Sequence, residues 1–287
     1  MHISVLLEQA IEFLNINPNG VYIDGTFGRG GHSKAILERL SLDGLLIAFD
    51  QDPDAITYAK TNFTSSNFKI IHDNFINYKI HLDNMNITKV DGVLLDLGIC
   101  STQIDEDIRG FSFMKDSPLD MRMNNIIGIS AAQWLNTASI KEISDVLWFY
   151  GEERFSRRIA KNIYDARGSI NTTLDLAQLV KNSIPYRDKH KHPATRTFQA
   201  IRIFINNELS VLDDMISSVP KILGNYGRLV IISFHSLEDR IVKTKFKSLS
   251  EQKEYSIIAK KIKPSLAEID KNPRSRSAIM RVLERNL

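Results

Sequence analysis

The stretch Val21-Tyr22-Ile23-Asp24-Gly25-Thr26-Phe27-Gly28-Arg29-Gly30-Gly31-His32-Ser33 decides the fold. A short apolar run ends in an aspartate, a glycine-rich loop follows, and a helical segment runs from Ser33 to Leu40. This is the strand–loop–helix opening of a ligand-binding α/β unit. Downstream, Gly44 opens a second apolar run, Leu45-Leu46-Ile47-Ala48-Phe49-Asp50, and Pro53 to Asn62 reads as a helix with proline in its first turn. Phe68-Lys69-Ile70-Ile71-His72 and Val90-Asp91-Gly92-Val93-Leu94-Leu95-Asp96 are the third and fourth strands. Near-continuous apolar strands alternating with helices predict a parallel sheet covered on both faces. Upstream, Ser4 is expected to cap a helix with Leu6, Leu7, Ala10, Ile11 and Leu14 on one side, stopped by Pro18-Asn19-Gly20.

After Gly98 the rhythm changes. Residues 105–196 hold no convincing buried strand, whereas helical stripes recur. Ser139 and Glu142 have capping-box spacing ahead of Ile143, Val146 and Leu147. Phe155, Ile159 and Ile163 form a second stripe closed by Gly168, and Thr172 or Thr173 caps a third. A long amphipathic helix is expected from Phe198 to Val219. Gly227 then opens the fifth core strand, Arg228-Leu229-Val230-Ile231-Ile232-Ser233. A helix at about 237–249 and strands at 255–262 and 278–284, separated by a polar loop, complete the chain. The expected organisation is a discontinuous α/β domain, 1–104 with 197–287, interrupted by a helical insertion, 105–196. The last strand pair supplies an antiparallel edge.

The composition suits a soluble globular protein: 287 residues, 43% hydrophobic and 25% charged. No apolar run approaches the roughly 20 residues of a membrane span. The N-terminus lacks the basic and small-residue signals of a secretory leader. With Cys100 as its one cysteine, the chain makes neither an internal disulfide nor a cysteine-based zinc site, and no other metal cluster is evident. A reducing cytoplasm is the expected compartment. The net charge of +3 permits an anionic partner without requiring one. Oligomeric state, monomer or dimer, stays open.

Open α/β sheets bind ligands beyond the carboxyl ends of their strands. Asp24, the loop 25–32, Asp50, Asp73 and Asp96 all stand at that edge. A lone aspartate there is ordinarily a helix cap; recurrence along one edge points to a ligand. Two classes compete. A dinucleotide needs glycines and an acid some 20 residues on. Gly28 to Ser33 is a degraded form of that fingerprint, with Asp50 as the acid. But Asp24 immediately precedes the glycines and would repel a pyrophosphate by about 1–4 kcal/mol at ~4 Å. S-adenosylmethionine presents a sulfonium and an ammonium, and the acids favour it. Glycines then let the backbone approach, Asp50 accepts ribose hydroxyls, and Asp73-Asn74-Phe75 flanks the adenine.

A methyl acceptor belongs next to Asp96. An exocyclic base amine is a poor nucleophile and needs an acceptor for its proton. Asp96 or a backbone carbonyl of this loop is a candidate for that role; the plainer role of Asp96 is to hold the donor. Cys100 raises a rival chemistry, pyrimidine C5 methylation through a thiolate adduct, against the plain reading of a small buried residue. His235, after the fifth strand, either shuttles a proton or caps a helix. Arg154, Arg157, Arg158 and Lys161 fall on one expected helix, with Arg154, Arg157 and Lys161 at helical spacing away from Phe155 and Ile159, and Arg187, Lys189, His190, Lys191, His192 and Arg196 follow. These are either a solvated surface or phosphate contacts to a folded nucleic acid.

Longer stretches narrow the choice. They are His2-Ile3-Ser4-Val5-Leu6-Leu7, Asp24 to Ser33, Asp96-Leu97-Gly98-Ile99-Cys100-Ser101-Thr102-Gln103, Arg109-Gly110-Phe111-Ser112-Phe113 and Pro118-Leu119-Asp120-Met121-Arg122-Met123. Tyr150-Gly151-Glu152-Glu153, His192 to Ala200 and 233–240 complete the set. Together they resemble the bacterial small-subunit ribosomal RNA cytosine-N4 methyltransferases of the RsmH/MraW type. The resemblance implies a Rossmann-like class I methyltransferase sheet with an inserted helical domain that grips RNA. It implies methyl transfer from S-adenosylmethionine to N4 of a cytidine in the decoding centre of 16S ribosomal RNA. The donor would touch Gly30, Gly31, His32, Asp50, Phe75, Asp96 and Gln103, the last reached only through the resemblance. The chain departs from many amino-methyltransferases in having Asp96-Leu97-Gly98-Ile99 where they carry an Asp/Asn-Pro-Pro-aromatic tetrapeptide. Base stacking would therefore need another aromatic, with Phe111 and Phe113 as candidates. A noncatalytic RNA-binding assembly module with an inherited pocket is the rival of a different class.

Overall fold

The computed structural model describes residues 4–100, 103, 109–185 and 192–287. His2, Ile3, Ser101, Thr102, Arg187, Lys189, His190 and Lys191 lie outside the described residues. The chain divides into two compact units, Met1–Gly98 with Leu209–Leu287, and Ile99–Glu208.

The first unit is built on a seven-stranded sheet: β1 (Val21–Asp24), β2 (Leu45–Asp50), β3 (Phe68–His72), β4 (Val90–Asp96), β5 (Leu223–Ser233), β6 (Tyr255–Ile262) and β7 (Ile279–Arg285). Its order is β3-β2-β1-β4-β5-β7-β6. β1 to β5 pair in parallel, and β7 runs antiparallel to both β5 and β6. The strand order reverses between β1 and β4, which makes that crevice the switch point where such sheets bind ligands. Successive strand residues feed opposite faces, as the pleat requires. Val93, Leu95, Leu229 and Ile231 pack on one side with helices α4 (Tyr78–Asn84), α10 (Glu208–Ser218) and α11 (Ser236–Ser250). Leu94, Val230 and Ile232 pack on the other with α1 (Leu7–Leu14) and α2 (Gly31–Leu37). A smaller cluster joins Phe27 and Ala48 to Ala55 and Ala59 of α3 (Pro53–Asn62).

The second unit is helical: α5 (Ala131–Thr137), α6 (Ile140–Gly151), α7 (Ser156–Asp165), α8 (Thr173–Ser183) and α9 (Thr195–Ile205). Trp134, Ile143, Leu147, Ile159, Ile163, Leu176, Val180, Phe198 and Ile201 form its core. The capping boxes at Ser139/Glu142 and Thr172/Asp175 are both made.

Several expectations are corrected. The single helix expected from Phe198 to Val219 is two, α9 and α10, because Asn207 takes a left-handed φ of 52° between them. α9 buries Phe198, Ala200 and Ile201 in the helical core, so the unit boundary falls at 208/209 rather than 196/197, and its start at 98/99 rather than 104/105. Ser4 does not cap α1: Leu6 holds the N-cap position in left-handed conformation, and no side chain caps the helix. The polar segment after β6 contains helix α12 (Leu266–Lys271).

Candidate functional site

β1, β2 and β4 each end on an aspartate: Asp24, Asp50 and Asp96. Asp24 pairs with Ala48 and with Leu94, so Asp50 and Asp96 each project two residues beyond it. The loop after β1 is stitched to both neighbouring strands. Gly25 N–H donates to the Leu94 carbonyl and Phe27 N–H to that of Phe49. Gly28 N–H donates to Asp50 Oδ2 at 2.7 Å, and Asp96 N–H to Thr26 Oγ1 at 2.7 Å.

The carboxylates are costly here. Asp24 is 1% exposed and accepts from Ser33 Oγ at 2.6 Å and Thr26 N–H at 3.1 Å. Burial pushes it up to about 6, against the lowering effect of those bonds. Asp50 is likewise pushed up to about 6 by burial, although Asp52 and Gly28 N–H groups donate to it. Asp96 is held well above the carboxylate range by burial and then by the charges of Asp24 and Glu238. Its Oδ1 is buried without a hydrogen-bond partner among the described residues. Among those residues no lysine or arginine pairs with any of the three acids; the nearest balancing group is His32 Nδ1, 3.6 Å from Asp96 Oδ2. An acid-lined edge with an orphaned carboxylate oxygen is chemically suited to a cationic ligand.

The glycines serve the protein before any ligand. Gly30 has φ +71°, and a Cβ there would overlap the rings of Phe63 and Phe27. A Cβ on Gly31 would overlap Ser4 Oγ. His32 is buried, and its Nε2 lies 3.1 Å from the Val5 carbonyl. Phe75 is buried in the core beneath Gly25. Asp73 is absorbed locally: burial opposes its ionisation, but His81, Asn77 and the Asn74 N–H donate to it and hold it below its ordinary range. Asn74 caps the short turn at Phe75–Asn77.

His235 stands at the N-cap of α11, where its Nδ1 accepts from Glu238 N–H and the Glu238 carboxylate accepts from the His235 N–H. That is the capping role. Gln103 belongs to the helical unit, where it is buried and accepts from Cys100 N–H at 3.0 Å. Phe111 is buried in the helical core, whereas Phe113 stacks on His192 with centroids 4.5 Å apart. Arg154, Arg157, Arg158, Lys161 and Arg196 are all exposed. Sequence reasoning assigned no role to Thr26 and Ser33, which bind the two acids flanking the switch point. Their only signal was hydroxyls beside the glycines.

The sheet order, its antiparallel β7 and the acidic switch point define a class I S-adenosylmethionine-dependent methyltransferase. The chain belongs to the MraW methylase family, whose model matches residues 1–286. Among its relatives, the ribosomal RNA small subunit methyltransferase H of Francisella tularensis subsp. novicida is 49% identical over 99% of this chain and 100% of its own length. The enzyme of the same name from Hydrogenovibrio crunogenus is 48% identical over 99% of this chain and 96% of its own length. A crystal structure of a candidate rRNA-methylase from Clostridium thermocellum shares the fold, with a TM-score of 0.51 at 11% identity, covering 100% of this chain and 99% of the other. Family membership removes the dinucleotide alternative.

Proposed function

We propose that this enzyme methylates N4 of a cytidine in the decoding centre of 16S ribosomal RNA, acting on that RNA or on the small subunit in the cytoplasm. The relatives' names support ribosomal RNA of the small subunit as the substrate. S-adenosylmethionine supplies the methyl group when bound. Asp24 and Asp96 face its positive charges, and Asp50 accepts its ribose hydroxyls. Gly30, Gly31 and His32 form the loop against it, with Phe75 completing the pocket on the sheet unit. The observation that carries the amine chemistry is the buried, unpartnered Asp96 Oδ1 at the end of β4. An acceptor at that place orients an amino hydrogen and takes the proton that the amine must lose.

The helical unit, with Arg154, Arg157, Arg158, Lys161 and Arg196 on its surface, is assigned to RNA phosphates. The test is mass spectrometry of small-subunit RNA from cells with and without the protein. A missing methyl on cytidine N4 is expected. An unchanged methylation pattern, or loss of a C5 methyl instead, overturns the reading.

A further inference from the structure

We infer that Glu268, near the end of the chain, is a positioning residue for the donor site: through Leu6 and Val5 it sets the orientation of His32 against Asp96. The inference rests on the reading of Asp96 as a donor-site carboxylate. All the residues involved belong to the sheet unit. Ser265 and Glu268 have capping-box spacing at the start of α12, and Ser265 Oγ accepts from Glu268 N–H. The Glu268 carboxylate does not close that box. Its Oε1 reaches across the chain to accept the Leu6 N–H at 2.7 Å.

Leu6 has reason to need such a tie. It is fully buried yet sits at φ 52°, ψ 33°, a left-handed conformation that a leucine adopts only when its surroundings enforce it. That conformation turns the chain so that the preceding carbonyl, Val5, faces His32 Nε2 at 3.1 Å while Ser4 seats against Gly31. A carbonyl only accepts, so the ring proton stands on Nε2. His32 Nδ1 is thereby turned toward Asp96 Oδ2, 3.6 Å away. One proton between Nδ1 and the carboxyl makes that approach favourable, on either partner. An imidazole held this way is a fixed companion for the acid; a ring free to exchange tautomers is not.

The experiment combines calorimetry of S-adenosylmethionine binding with nitrogen-15 NMR of the histidine rings, the His32 signals being identified by their loss in His32→Gln. Wild type, Glu268→Ala, Glu268→Gln and Asp96→Ala are compared. The wild-type ring should show a proton on Nε2. Glu268→Ala should abolish that single tautomer and weaken donor binding about three- to tenfold. Glu268→Gln keeps the acceptor oxygen and should restore both. A wild-type His32 protonated on Nδ1 with a bare Nε2 overturns the inference without any variant. So does Glu268→Ala with unchanged ring signals and affinity. If Glu268→Ala does not fold, Glu268→Asp, one methylene too short to reach, takes its place. Asp96→Ala separates the two levels: unchanged donor affinity there sinks the site reading itself, whereas loss in Asp96→Ala without loss in the Glu268 variants sinks only the positioning role.

Discussion

Asp24, fully buried, and Asp50, partly buried, are acids held at about 6, against an ordinary 3.8, with desolvation as the leading cause. The folded, ligand-free protein therefore binds more protons than the unfolded chain between those values. The stability these two groups contribute is fully present below the lower value and is lost as pH rises through about 6. A cationic donor favours the ionised acids, so its affinity should climb across the same window. Calorimetry at pH 5.5 and 7.5 should find tighter S-adenosylmethionine binding at the higher pH; a flat profile would remove these acids from the donor's surroundings. Asp50 has a further duty, since its two oxygens hold Gly28 and Asp52 N–H groups. Asp50→Ala should weaken donor binding by about 1–3 kcal/mol, as expected for a buried charged hydrogen bond, and lower the melting temperature as the loop is released. Unchanged affinity would exclude Asp50 from the donor site. Cys100→Ala should leave methylation of purified small-subunit RNA largely intact, because N4 chemistry needs no thiolate adduct; complete loss would favour the C5 route.

The elements show why the loop after β1 is glycine-rich. Gly31 faces Ser4, not open space, and the atoms that a Cβ there would meet both belong to the Ser4 side chain. Gly31→Ala should therefore lower the melting temperature, and Ser4→Gly in the same chain should restore much of it. Additive losses in the double variant would show that the two do not share that space. The strands β1, β2 and β4 were legible because each is an apolar run closed by an acid, and runs such as Leu45-Leu46-Ile47-Ala48-Phe49 point alternately to two covered faces. The capping box at Ser139 was legible because spacing alone makes it, whereas sequence left the cap of α8 between Thr172 and Thr173 and the structure gives it to Thr172, in a box with Asp175. The break at Asn206-Asn207 was not legible, since apolar periodicity continues through it and one left-handed residue ends the helix. In the site, Asp24, Asp50 and Asp96 could be read from their strand-end positions. The ties made by Thr26, Ser33 and Glu268 could not, because they join residues whose closeness depends on the folded register, up to 262 positions apart for Leu6 and Glu268.

At the scale of the whole molecule, the chain forms two units, each with its own apolar core, and the proposed function assigns chemistry to one and the grip on RNA to the other. The sheet unit gathers acids at its carboxyl edge, a surface that would repel phosphates. The helical unit carries Arg154, Arg157, Arg158 and Lys161 along and just ahead of α7, whose opposite side buries Ile159 and Ile163. Lys161 has Asp165 3.8 Å away and Arg196 donates to the Glu152 carbonyl, so both share their charge with neighbours in the chain. Arg157 and Arg158, exposed side by side on α7, are the pair to test first. A solvated surface and a phosphate-binding surface make different predictions under salt. Replacing Arg157 and Arg158 together by alanine should weaken binding to small-subunit RNA and flatten the dependence of log affinity on log salt by about 0.7–0.9 for each phosphate no longer neutralised. Donor affinity measured by calorimetry should not change, because the acids and glycines belong to the other unit. If RNA affinity and salt slope both match the unaltered enzyme, the cations are a solvated face and the RNA grip lies elsewhere; if donor affinity falls as well, the substitutions have disturbed the fold and the division of labour between the units is wrong.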